Sequence, residues 1–143
     1  TGYLDLDEPA KAIEPARATV DAAASGGKAL DDLRWRGATA LARALERTGH
    51  AHEARTVIEP ILHEIVTDTT LIPNRRAGAE ITLAQTLWED GGDPERTRAR
   101  TLAADAEKDY QATLDQLKDY PPVLLSGLRK RLAETVEWRK RHP

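Results

Sequence analysis

"LARAL" at Leu41–Leu45 and "LAQTL" at Leu83–Leu87 repeat the same leucines around the same alanine, 42 residues apart, and each run leads into a glycine, Gly49 and Gly91. Leucines four apart share one face of a helix, and the alanine beside the first leaves room for a neighbouring helix to approach. A second offset, of 45, joins "AIEPA" (Ala12–Ala16) to "VIEPI" (Val57–Ile61) and Glu8 to Glu53. Recurrence at such a spacing points to stacked units, each of which hides one face only and depends on its neighbour to complete the core.

The rest of the chain agrees with a helical stack. Apolar residues recur at steps of three and four almost everywhere, and no stretch alternates as a half-buried strand would, so the fold class is all-α. Turn signals divide it at "SGGK" (Ser25–Lys28), "RTGH" (Arg47–His50), "TTLIPN" (Thr69–Asn74), "DGGDP" (Asp90–Pro94) and "DYPP" (Asp119–Pro122). They leave five or six helices of roughly 12 to 24 residues joined as antiparallel hairpins. Asp93 before Pro94 and Glu95 reads as a helix N-cap followed by proline and an acid in the first turn. Ala99, Leu102, Ala103, Ala106, Tyr110, Leu114 and Leu117 then form one apolar face, with Arg98, Arg100, Glu107 and Lys108 opposite. Pro15 and Pro60 fall within helical patterns, where a proline removes a backbone donor and is expected to kink the helix or start a new one.

Composition narrows the possible roles. The chain has 143 residues, the length of one domain, with 40% hydrophobic and 31% charged residues and a net charge of −3. That balance argues against a general nucleic-acid binder. With no cysteine there is no disulfide, thiolate nucleophile or cysteine-held metal, which fits the cytoplasm. No apolar run is long enough for a membrane span and no signal peptide opens the chain. A start at Thr1 reads as a piece of a longer protein.

Leu41, Ala42 and Leu45, then Gly49, Ala54 and Ile58, resemble the tetratricopeptide repeat, a helix–turn–helix unit with small residues at the close approach of its helices. Leu83, Ala84, Leu87 and Gly91 fit the same pattern, and Ala99, Ala103 and Ala106 resume it after the insertion "GDP". Departures are Ala38 and Glu80 where the family often has tryptophan, the large Ile61, and Val66 in place of a closing proline. The long period is similar to the kinesin-light-chain variety. "LAQTLWEDGGDPERTRARTLAADAEKDY" (Leu83–Tyr110) and "ETVEWRKRHP" (Glu134–Pro143) are similar to C-terminal regions of myxobacterial serine/threonine protein kinases. The resemblance implies a short solenoid with a partial unit at 6–24, units at 30–68 and 76–118, and a cap helix at 123–141. It also implies a protein-binding tail of a larger bacterial signalling protein.

Catalytic motifs are missing. His52–Glu53 and His63–Glu64 lack a second histidine four residues on, so the helical zinc motif is absent. His50, His52 and His63, with Glu53 or Glu59, make an alternative metal cluster; the plainer reading is a polar bend at "TGHAHEARTV" (Thr48–Val57). No glycine-rich phosphate loop or nucleophile elbow appears, and Gly26–Gly27 and Gly91–Gly92 read as helix ends. Asp5–Asp7 and Asp31–Asp32 read as helix-start acids. The chain is therefore expected to be non-catalytic and to need no cofactor. "RKR" at Arg129–Arg131 and again at Arg139–Arg141 offers a nucleic-acid stripe as a second alternative, against which Glu134 and Glu137 stand. The groove-facing positions of the first helices nominate Arg36, Arg43, Gln85, Trp88 and Lys130 as the surface for a peptide partner of acidic character.

Overall fold

The computed structural model describes residues 9–68 and 73–143. Among them are six α-helices and no strand: α1 (Pro9–Ala24), α2 (Asp31–Arg47), α3 (Ala51–Val66), α4 (Pro73–Asp90), α5 (Asp93–Gln116) and α6 (Pro122–Arg141), with a 3-10 turn at Gly27–Leu30 before α2. Each helix packs on the next, and α2 also touches α4. Helical hairpins thus stack as a short solenoid. The "LARAL" and "LAQTL" runs occupy the two first helices that meet. No helix among the described residues is long and apolar enough to cross a membrane. The start of the partial unit, with Asp5–Asp7, and Thr69–Ile72 of the predicted turn lie outside the described residues.

Small residues set the helix spacing. Ala42, Ala54, Ala84, Ala99 and Ala103 are all fully buried, and Leu83, Leu87 and Ile58 fill the layer between them. Trp35 closes this core at the α2–α3 end, where its indole N–H points at Glu64 Oε1, 3.5 Å away. Arg34 reaches the same carboxylate from α2, and Asp31 holds the guanidinium from the preceding turn. On α5, Thr113 joins the buried face by donating its hydroxyl to Asp109 O at 2.9 Å. A threonine that satisfies itself within its own helix is easily missed by an apolar pattern.

The structure chooses between the two readings of the prolines and moves one cap. Pro15 and Pro60 do not begin new helices; each lies inside one, α1 and α3. Both prolines are exposed, as are Lys11 and Thr56, whose carbonyls lose their helical donor, so water can satisfy them. The N-cap of α5 is Gly92 rather than Asp93. Gly92 is extended (φ −96°, ψ −153°), and its N–H donates to Glu95 Oε2 at 3.2 Å. That is half of a capping box, since glycine has no side chain to return the bond.

The bend at Gly49 is a Schellman motif. Gly49 has φ +84°, its N–H donates to Glu46 O at 3.2 Å, and His50 N–H donates to Leu45 O at 2.8 Å. Its counterpart Gly91 has no positive φ, so the repeated glycine plays two different parts. Replacing Gly49 with alanine places a Cβ in the left-handed region and should cost about 1–2 kcal/mol. Gly92→Ala, with φ −96° and open space around the added methyl, meets no strain and should cost only about 0.5 kcal/mol, the difference between glycine and alanine as an N-cap. Thermal melts of the two variants check this contrast; equal losses would be the contrary result.

Candidate binding cleft

α2, α4 and α6 present one face to a common cleft, and α5 supplies its floor. The main hollow holds about 270 Å³ and is lined by Arg36, Ala40 and Arg43 of α2, Asn74, Arg75 and Gly78 of α4, and Gly127, Leu128 and Arg131 of α6, with Tyr110 of α5 beneath. A smaller hollow of about 40 Å³ continues it past Arg47, Ile81, Gln85 and Glu134. The two share Arg43, Tyr110 and Arg131. Spacing explains the lining, because 36, 40, 43 and 47 on α2 and 74, 78, 81 and 85 on α4 each follow steps of three and four.

The cleft is dominated by arginine. Arg75 is tied to Asp32, with Nε 2.7 Å from Oδ1. Glu134 is the carboxylate on the lining itself. The Tyr110 residue is only 1% exposed. Burial pushes its hydroxyl pKa up, against the opposing pull of Arg131 and Arg43, while Glu134 and Glu80 add to the rise. A phenol held neutral beside two guanidiniums is a hydrogen-bond donor in a positive field.

Of the five residues nominated by the sequence, Arg36, Arg43 and Gln85 line this cleft. Trp88 and Lys130 do not. The Trp88 ring turns instead toward the far end of α6, edge-on to Trp138 at 5.8 Å and to His142 at 4.9 Å, with Arg96 and Arg100 over it at 4.9 and 5.3 Å. Trp138 and His142 stack at 4.1 Å, and Arg100 Nε donates to Pro143 O at 2.8 Å. On α6 the cleft side runs through Gly127, Leu128 and Arg131, one position beyond Lys130, because Leu125 and Thr135 fix which face is buried. Tyr110 was placed in the apolar face by the sequence, but its position as the floor of a charged cleft depends on α6 crossing above it, which no local pattern states.

The outer side of α3 carries a second hollow, of about 970 Å³, which brings together His52, Glu59 and His63. Its cations are matched within the chain. Arg55 Nε lies 3.2 Å from Glu59 Oε2 and its Nη1 3.4 Å from Asp90, while Arg98 pairs with Glu59. His50 is elsewhere, with Nδ1 3.0 Å from Thr48 Oγ1, and His52 Nδ1 faces Asp90 at 3.4 Å. Among the described residues no three histidine, aspartate or glutamate side chains converge as a metal site would require. The basic end of α6 is partly matched too: Arg139 pairs with Glu107 at 3.0 Å and Arg141 with Glu137 at 3.2 Å.

One buried acid stands apart from both hollows. Glu80, 6% exposed, lies between α4 and α5 and hydrogen-bonds Asp109, yet its Oε1 has no partner. Arg76 clamps Asp109 with two bonds of 2.8 Å. Burial, and then the hydrogen bond to Asp109, push the Glu80 carboxyl up to about 9. For Asp109 burial acts the same way, but the bonds from Arg76 and Glu80 outweigh it and hold its carboxyl below the usual range. Glu80 therefore carries a proton at neutral pH and adds no negative charge near the cleft. No family model, curated protein or solved structure matches the chain.

Proposed function

We propose that this chain is a non-catalytic interaction module that holds an acidic segment of a partner protein in the cleft between α2, α4 and α6. The observation that carries this reading is the excess of arginine there: Arg36, Arg43, Arg47, Arg75 and Arg131 line two joined hollows against Glu134 alone. The outer hollow has larger volume, but its lining balances Arg55 and Arg98 against Glu59 and Glu64, so the arginine-richer cleft suits an anionic partner better. The resemblance of its hairpins to tetratricopeptide units, and of Leu83–Tyr110 to kinase C-terminal regions, supports a recruiting tail of a larger bacterial signalling protein working in the cytoplasm.

A fluorescein-labelled pool of aspartate- and glutamate-rich nonapeptides tests the reading by polarisation. It should bind with a salt-sensitive affinity that a lysine-rich pool lacks. Reversing charge at Arg36 and Arg43 together should weaken it at least tenfold, about 1.4 kcal/mol or more. Unchanged binding in that double variant would move the site away from the cleft.

A further inference from the structure

Two glycines in the cleft are not explained by the fold. Gly78 and Gly127 sit inside α4 and α6, where glycine weakens a helix relative to alanine. Neither has a positive φ; among the described residues those are Gly27 and Gly49. A methyl added at Gly127 would meet nothing within 4 Å, and one at Gly78 would meet only the Tyr110 hydroxyl at 3.8 Å. Backbone conformation and neighbouring side chains therefore permit alanine at both. What the two share is the wall of the hollow that Arg43, Arg131 and Tyr110 also line, and neither puts a side chain into it.

Arg43, Arg131 and Tyr110 give that hollow two guanidiniums and a phenol as donors. Arg43 and Arg131 both make contacts within the chain, and each guanidinium carries five N–H donors that a strong acceptor can share or compete for. Two forked cations and a phenol suit a group with three terminal oxygens and a charge near −2, which is a phosphate monoester. Glu134 borders the same space and opposes an anion; the arginines outnumber it. Resting on the reading of the cleft as a docking groove, we propose that its centre binds a phosphorylated serine or threonine side chain of the partner protein. Its phosphoryl oxygens lie on Arg43, Arg131 and the Tyr110 hydroxyl, with the peptide backbone passing over Gly78 and Gly127.

The test uses three fluorescein-labelled degenerate nonapeptide pools that differ only at the central residue: phosphoserine, glutamate or serine. The phosphoserine pool should bind at least tenfold tighter than the glutamate pool. Arg43→Gln and Arg131→Gln should each cost tenfold or more, in the range of a charged hydrogen bond, and Tyr110→Phe severalfold. Glu134→Gln should strengthen binding. Gly127→Leu keeps every charge and adds a good helix former, so its melting temperature should hold while phosphoserine binding is lost. Lys108→Gln, on the far side of α5, should change nothing. Equal affinity for the phosphoserine and glutamate pools would overturn the phosphate assignment and leave the acidic groove standing, whereas no binding of either would overturn both. Full binding by Gly127→Leu, or tighter binding of a 12-nucleotide RNA or DNA strand than of the phosphoserine pool, would also overturn it.

Discussion

Glu80→Gln should make the protein more stable, by a margin that grows with pH. The folded-state carboxyl titrates at about 9, against 4.5 for the ordinary group. Below 4.5 both folded and unfolded chains hold the proton, and the contribution of Glu80 to stability is fully present. Between 4.5 and 9 the unfolded chain has released it while the folded chain keeps it, so stability falls as pH rises, by about 1.4 kcal/mol per unit. Glutamine removes that slope. Its amide N–H can donate to Asp109 as the protonated acid does, and its shape is nearly the same. The variant should match the parent near pH 4 and exceed it by several kcal/mol at pH 8, on the order of 3–5 kcal/mol. Denaturant titrations at pH 4, 6 and 8 measure this directly, and parallel pH profiles for the two proteins would refute the buried proton. Asp109 acts in the opposite sense: its lowered carboxyl supports the fold above the ordinary aspartate range, and that support is lost as pH falls through its folded value.

Leu87→Ala, in the repeated motif, should be strongly destabilising. Leu87 is fully buried in α4, beside α3 and α5 in the stack. Removing its side chain takes away apolar contact and leaves a cavity that alanines nearby are too short to fill, a loss of about 2–5 kcal/mol. For a domain of this size the melting temperature should drop by on the order of 10 °C. Because each layer of a stack supports its neighbours only, amide exchange should accelerate most in α4 and α5 and least in α1. Uniform acceleration through all six helices would contradict that picture. Leu114→Ala, at a half-buried site on α5, should cost distinctly less.

The architecture was legible because its signal is local and repeated. Leu41, Leu45, Leu83 and Leu87 mark the two helices that meet, and the turn signals fall where helices end. Details that depend on one backbone angle were not legible. Gly49 and Gly91 are the same letter, but one is left-handed and the other is not. Asp93 carries the usual N-cap side chain, yet Glu95 folding back to Gly92 N–H moves the cap one residue earlier. The cleft was legible on α2, whose register the leucines fix, and misread on α6 and at Trp88. There, the aromatic contacts with Trp138 and His142 decide where the side chain goes, and those are 50 or more residues away in sequence. Glu80 was visible as a departure from the repeat pattern. Its proton was not, because it follows from burial beside Asp109.

α6 forms one wall of the cleft; it buries Leu125 and Thr135, and near its C-terminal end Trp138 and His142 join Trp88 in a ring cluster. At its other end Val123 and Leu124 are 76% and 65% exposed. That ring cluster contains two of the three tryptophans in the chain, which gives the molecule an intrinsic fluorescent gauge of how the C-terminal end of that wall is seated.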